Sequence, residues 1–316
     1  MQDTVIQTWG LTKQYSGQGG CHDVTLEVPR GVVYGFIGPN GAGKSTFVRA
    51  LLGLLHPTSG RAEILGQPSG TVESRRKVGY LPELFRYQDW LTGKQLLEVH
   101  ADLAEVPRVD RQNRIKVLIE RVGLSGWEHQ KIRNYSKGMQ QRIGLAAALI
   151  SDPEVIFLDE PTSALDPIGR RDVRDLITEL RNQGKTVFLN SHLLAEVENL
   201  CDQVAIINKG KVVAQGDWRT LCDINIEVIL RAEGLSEQVW SSFDQLVKSA
   251  RPLPDSDQSG TRWQIQCYAW DAVPEIIRLL CEKGIAIYEV TPIQPHLEEV
   301  FMYWVERKER ENAVDR

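Results

Sequence analysis

Eight consecutive residues, Gly38-Pro39-Asn40-Gly41-Ala42-Gly43-Lys44-Ser45, carry the spacing GxxxxGK(S/T), and residues of these types in this order cradle a polyphosphate. Glycines let the backbone curl until successive N–H groups point at phosphate oxygens. Lys44 reaches the terminal phosphates, and the Ser45 hydroxyl is a ligand for Mg2+. The stretch that opens at Lys44 and Ser45 has helical character, so its positive end faces the same anion.

A second stretch, Val155-Ile156-Phe157-Leu158-Asp159-Glu160, is an apolar run that ends in two acids. Taken singly, it also fits a strand that stops in a solvated acidic turn. Beside a phosphate cradle, Asp159 suits a Mg2+ ligand and Glu160 a general base for the attacking water. His192 follows the apolar run Thr186–Asn190, at the strand edge that faces the ligand crevice of an open α/β sheet. An imidazole there is placed to contact the γ-phosphate, although a lone histidine also has structural uses. Ser136-Lys137-Gly138 opens a long apolar helix; the serine is a cap, and the helix start with its free hydroxyl is a second anion receptor. Alone, the same residues describe an ordinary capped helix.

These groups need a scaffold that brings them together. Gly31–Gly38 reads as a buried strand entering the glycine-rich turn, with a helix over Lys44–Leu55 stopping near His56-Pro57. With the strands at Val155–Leu158 and Thr186–Asn190, the alternation predicts a mostly parallel α/β sheet flanked by helices. Between about residues 83 and 150, helical patterns dominate, with Leu96, Leu97, Val99 and Leu103 at helix-like intervals. This reads as a helical subdomain inserted into the core. From residue 221 the pattern changes to strand Asn225–Arg231, helix Glu237–Ser249 and a short strand Ala250–Leu253. Strand Arg262–Cys267, helix Val273–Lys283 and strand Ile285–Val290 follow. That order predicts a small α+β unit of ferredoxin-like type over residues 221–316. A final helix starts near Pro295, with Leu297, Val300, Phe301, Trp304 and Val305 in one apolar stripe suited to packing on its own domain or to a partner.

Composition narrows the function. The net charge of -5 argues against binding nucleic acid by broad backbone neutralisation. No apolar run is long enough to span a membrane, and Met1-Gln2-Asp3-Thr4 does not begin a signal peptide. Any action on a membrane therefore goes through a partner. The cysteines Cys21, Cys201, Cys222, Cys267 and Cys281 are scattered without metal-ligand spacing and read as free thiols in a reducing compartment.

Over about residues 4–220 the chain resembles the ATP-binding subunits of ABC transporters, a P-loop NTPase cassette. Gly38–Ser45 resembles Walker A, Ser136–Gln140 the signature loop and Val155–Glu160 Walker B. Ser163-Ala164-Leu165-Asp166 resembles the D-loop, His192 the switch histidine, and Tyr15 the aromatic that stacks on adenine. The resemblance implies ATP and Mg2+ as cofactors. It also implies nucleotide contacts from Tyr15, Gly38, Pro39, Asn40, Gly41, Ala42, Gly43, Lys44, Ser45, Thr46, Glu83, Ser136, Gly138, Asp159 and Asp166. Catalysis falls to Glu160, His192 and Lys44, and the metal to Ser45, Asp159 and Glu83.

Two features depart from the common pattern. The signature reads Ser-Lys-Gly-Met-Gln, and Glu83 in Gly79-Tyr80-Leu81-Pro82-Glu83 stands where the family carries the Q-loop glutamine. The Leu-Pro-Glu form and Leu297-Glu298-Glu299-Val300-Phe301 resemble the exporter branch that includes drug, polysaccharide and lipid-linked exporters. In that family two subunits pair head to tail, so a homodimer is implied. An integral-membrane permease docks near Phe85, Tyr87 and Trp90, and the subunit sits in the cytoplasm at the inner face of the membrane.

The rival readings are a soluble ABC ATPase acting on nucleic acid or ribosomes, a P-loop GTPase and a non-catalytic nucleotide sensor. The first lacks coiled-coil heptads or a second cassette here. The second lacks its guanine-reading motif, since Asn208-Lys209-Gly210-Lys211 has the wrong last residue, and the third is disfavoured by Glu160 and His192. Residues 221–316 show no catalytic constellation and read as a dimer-stabilising appendage.

Overall fold

The computed structural model describes residues 3–15, 19–84, 86–221, 226–254, 260–293 and 296–314, with side chains as far as Arg307. The expectations placed on Phe85, Cys222, Asn225 and Pro295 lie outside them. The chain divides into two compact units, Met1–Asp217 with Phe301–Arg316, and Trp218–Val300.

In the first unit the chain runs β1 (Thr4–Gln14), β2 (Gly20–Pro29), β3 (Val33–Ile37), α1 (Lys44–Leu51), β4 (Ser59–Ile64), β5 (Gln67–Pro68), α2 (Val72–Arg75) and β6 (Val78–Leu81). Three helices follow, α3 (Gly93–Leu103), α4 (Arg108–Arg121) and α5 (Lys137–Leu149). Then come β7 (Val155–Asp159), α6 (Pro167–Asn182), β8 (Thr186–Ser191), α7 (Leu194–Leu200), β9 (Gln203–Asn208) and β10 (Lys211–Gly216). One sheet has the order β10-β9-β3-β8-β7-β6 and is parallel except for β10. An antiparallel sheet, β2-β1-β4-β5, forms a second layer.

Every residue of β3, β7 and β8 is buried, as expected of parallel strands covered on both faces. Phe188, fully buried, is the hub of an aromatic cluster with Tyr34, Phe36, Phe47 and Phe157, whose ring centroids lie 5.3–6.3 Å from its own. Phe47 belongs to α1, so the cluster clamps the helix behind the glycine-rich turn onto the sheet. Burying such a ring contributes roughly 1.5–3 kcal/mol.

Register then decides the site. Ile37 lies level with Ser191, Asp159 with Asn190, and Leu81 with Leu158. The segments leaving β3, β7, β8 and β6 therefore emerge at one edge, the carboxyl edge where open α/β sheets bind ligands.

One helical expectation needs correction here. α1 ends at Leu51 rather than Leu55, because Gly53 (φ 69°) turns the chain so tightly that a Cβ there would lie 2.2 Å from the Gly70 Cα. In α3, Leu96 and Leu97 are buried, whereas Val99 and Leu103 face outward. The start of α3 is fixed by a reciprocal cap in which Thr92 and Gln95 exchange side-chain and backbone hydrogen bonds.

The second unit contains β11 (Ile226–Ala232), α8 (Glu237–Trp240), β12 (Val247–Pro252), β13 (Thr261–Cys267), α9 (Ala272–Glu282) and β14 (Ile287–Ile293). Its sheet order, β12-β13-β11-β14, is antiparallel throughout. This is the interleaved strand order of the ferredoxin-like fold. Val228, Leu230, Trp240, Phe243, Trp263, Ile265, Ile276 and Leu280 form its core. The helix expected over Glu237–Ser249 is cut to one turn of α8 and a 3-10 turn, Ser241–Phe243. The Ser241 and Ser242 hydroxyls donate back to the Glu237 and Val239 carbonyls, and from Val247 the chain pairs with β13. α10 (Leu297–Val314) closes the chain; Leu297 and Val300 are buried, Phe301, Trp304 and Val305 partly so, and Met302 is exposed.

Candidate functional site

The segments at the carboxyl edge enclose a cleft of about 410 Å3 lined by Asn40–Thr46 together with Gly20, Glu83, Asp159, Glu160, Asn190 and His192. The turn into α1 pivots on Gly43, which has φ 101° and lies so close to β2 that a Cβ would sit 2.1 Å from the Gly20 carbonyl oxygen. Only glycine meets both demands at low cost. Lys44, largely buried, donates to the carbonyls of Gly38 (2.8 Å) and Pro39 (3.3 Å). Burial lowers its pKa, and the charges of Glu160, Asp159 and Glu83 oppose that fall. The ammonium is thus held over a concave backbone that faces three acids.

Asp159 ends β7, 1% exposed, and accepts a 2.5 Å hydrogen bond at Oδ1 from the Asn190 amide. Burial, reinforced by the charge of Glu83, pushes its carboxyl up to about 6; the Ser45 hydroxyl and the Asn190 amide pull the other way. Glu160 follows in the left-handed region at φ 51°, uncommon for a side chain of this type and a source of backbone strain. Its N–H donates to the Asn190 carbonyl (2.9 Å), and its own carbonyl accepts from Gln141 Nε2 (3.3 Å) and Ser163 Oγ (3.1 Å). These bonds hold the strained turn. Its buried carboxylate meets His192 Nδ1 at 2.7 Å through Oε1. A carboxylate only accepts, so the Nδ1 proton donates to it. The half-exposed ring leaves Nε2 for a further contact.

Among the described residues, Asp159 Oδ2, Glu160 Oε2 and Asn190 Oδ1 are buried acceptors without a hydrogen-bond partner. All three belong to residues that line the cleft, and unpaired buried acceptors call for a cation or for water. The residues present therefore fit Mg2+, which Ser45 and Asp159 would hold. When bound, the ion would neutralise charge on phosphate oxygens.

The cleft thus gathers the sequence-expected Asn40, Gly41, Ala42, Gly43, Lys44, Ser45, Thr46, Glu83, Asp159, Glu160 and His192. Gly38 and Pro39 take part through their carbonyls. Ser136, Gly138, Asp166 and Tyr15 do not line it. Ser136 caps α5 by accepting from the Met139 N–H (3.2 Å). Asp166 caps α6 by accepting from the Gly169 N–H (2.8 Å). Tyr15 is 47% exposed, with the Lys13 ammonium 5.7 Å from its ring centroid. Sequence reasoning missed Gly20 and Asn190; for Asn190 the signal was a polar residue at the carboxyl end of a buried parallel strand.

A family model described as "ABC transporter" matches residues 21–163. An uncharacterised ABC transporter ATP-binding protein of Synechocystis sp. is 41% identical, across 99% of this chain and 87% of its own. The chain belongs to the ABC transporter ATP-binding protein family. A daunorubicin resistance ATP-binding protein of Streptomyces coeruleorubidus is 35% identical, covering 96% of each chain. A solved ATP-binding subunit of an ABC transporter overlays with a TM-score of 0.65 at 29% identity, over 69% of this chain and 92% of that one.

As an ABC ATP-binding protein the chain is an ATPase. Among the described residues no helix is long and apolar enough to cross a membrane.

Proposed function

We propose that this chain is one of two identical ATPase subunits that drive a membrane exporter of the drug-export type, held at the cytoplasmic face of the membrane by its permease. The observation that carries the reading is a division of the motifs. Lys44, Ser45, Asp159, Glu160 and His192 share one cleft, whereas Ser136 and Gly138 lie outside it and Ser136 is exposed. A second copy, placed head to tail, supplies its Ser136 helix start to the γ-phosphate side. ATP then glues the pair together, and hydrolysis releases it.

In that state Lys44 and the N–H groups of Asn40–Thr46 orient the phosphates. Glu160 takes the proton of the attacking water, and His192 orients that carboxylate while it contacts the γ-phosphate. Ser45, Asp159 and Glu83 serve the cation, Tyr15 stacks on adenine, and Asp166 faces the partner. The whole-chain likeness to a drug-resistance ATP-binding protein supports the exporter assignment. Leu84 and Trp90, 82% and 65% exposed beyond β6, offer the permease an apolar landing. Tyr87 instead packs edge-on against His100, ring centroids 6.2 Å apart. Residues 221–316 serve as a dimer-stabilising appendage.

Light scattering of the Glu160→Gln variant with and without Mg2+-ATP tests this reading. A monomer-to-dimer shift on adding nucleotide is the expected result, with turnover reduced about 10^2–10^4-fold. A mass that stays monomeric, or turnover within a few fold of wild type, overturns the sandwich or the base assignment respectively.

A further inference from the structure

We propose that Asn190 is a positioning residue of the cation site, fixing the Asp159 carboxylate through its amide nitrogen and receiving, at its side-chain oxygen, a proton of water in the cation's hydration shell. The inference rests on the nucleotide-site reading above.

β7 and β8 are neighbouring parallel strands, and Asp159 and Asn190 stand level in their register. At that position the Asn190 side chain is 1% exposed, cannot swing into solvent, and lies against the carboxylate. Asp159 decides which way the amide faces. A carboxylate only accepts, so the NH2 group must point at it, as the 2.5 Å contact with Oδ1 shows. The amide oxygen is thereby turned away, and it is buried without a donor among the described residues. Lys44, which lines the same cleft, donates to the carbonyls of Gly38 and Pro39.

The three orphan acceptors, Asp159 Oδ2, Glu160 Oε2 and Asn190 Oδ1, belong to residues lining one cleft. Mg2+ dehydrates reluctantly and keeps several waters, whose outward protons need such acceptors. The amide also serves electrostatics. Glu83 brings a second carboxylate to the same cleft, and the Asn190 N–H is a buried donor held against Asp159 there. The Asn190 backbone carbonyl holds the strained Glu160 turn as well, so substitution of the side chain leaves that second task in place.

The test compares two isosteric, β-branched replacements that suit a buried strand, Asn190→Thr and Asn190→Val. Threonine keeps a hydroxyl able to donate and accept, and valine keeps neither function. Binding of a fluorescent ATP analogue to the full-length protein is followed during Mg2+ titration and again in EDTA, without turnover. The expected result is an Mg2+ half-saturation concentration raised about tenfold in Asn190→Val, mostly restored in Asn190→Thr, with metal-free nucleotide affinity unchanged in both. Equal loss in the two variants, loss that persists in EDTA, or no change in either overturns the proposal. Thermal melts of both variants are run in parallel; if Asn190→Val does not fold, the Thr variant with wild-type melting decides, since a role for Asn190 predicts a small but measurable Mg2+ shift confined to the metal-containing titration. If wild-type nucleotide binding does not respond to Mg2+ at all, the site reading itself falls, an outcome distinct from failure of the Asn190 assignment.

Discussion

Lys44 illustrates how one side chain is tuned by its surroundings. Burial costs the ammonium hydration, the acids across the cleft return part of that cost, and two carbonyls of its own loop satisfy its protons. Phosphate oxygens are better acceptors than those carbonyls, so the lysine is poised to exchange one set for the other. Lys44→Ala is expected to weaken ATP binding by at least about tenfold, the worth of a charged hydrogen bond, and equilibrium binding of a labelled nucleotide measures it. Unchanged affinity would show that the cradle does not hold phosphate through this residue. Residue types and spacing sufficed to single out Lys44, Ser45, Asp159, Glu160 and His192. They did not reveal that His192 grips Glu160 at 2.7 Å, or that Asn190 grips Asp159, because those contacts depend on which strands are neighbours.

At the scale of elements, the buried strands β3, β7 and β8 were legible as apolar runs, and α5 as a capped helix. The segment after Glu237 was not: its local pattern favours helix, but pairing with β13 claims Val247–Pro252 for the sheet. Helix α3 carries a testable consequence of packing. His100, partly covered and edge-on to Tyr87, has its pKa lowered by burial. The unfolded chain protonates this histidine near about pH 6.5, before the folded protein does. Its stabilising contribution is therefore complete above that pH and is lost as pH falls through the lowered folded value. Melting temperature is expected to drop between pH 7.5 and 5.5, and less in His100→Gln. Equal drops would mean that burial does not hold this ring neutral.

For the molecule as a whole, the decisive feature is that the signature residues and the phosphate cradle of one chain do not meet. Ser136 sits at an exposed helix start, and Gln141 of the same helix reaches the Glu160 carbonyl. Ser136→Arg places a bulky cation where a partner's nucleotide would dock. Hydrolysis is expected to fall by about a hundredfold, as when a transition-state donor is removed, while nucleotide binding to the separate subunit stays at its wild-type level. Steady-state turnover and equilibrium binding on the same preparation separate the two. Loss of binding by the separate subunit would argue for a site completed within one chain.

The sequence by itself determined the phosphate chemistry, the family and the α/β class, because motif spacing and apolar periodicity are local properties that survive without coordinates. It also carried the interleaved strand and helix order from β11 to β14 in outline. Tertiary structure alone decided which carboxyl edges lie side by side, and so why Asp159, Glu160, Asn190 and His192 line one cleft. Strand register is set by burial summed over the whole sheet, and no short window of residues contains that sum.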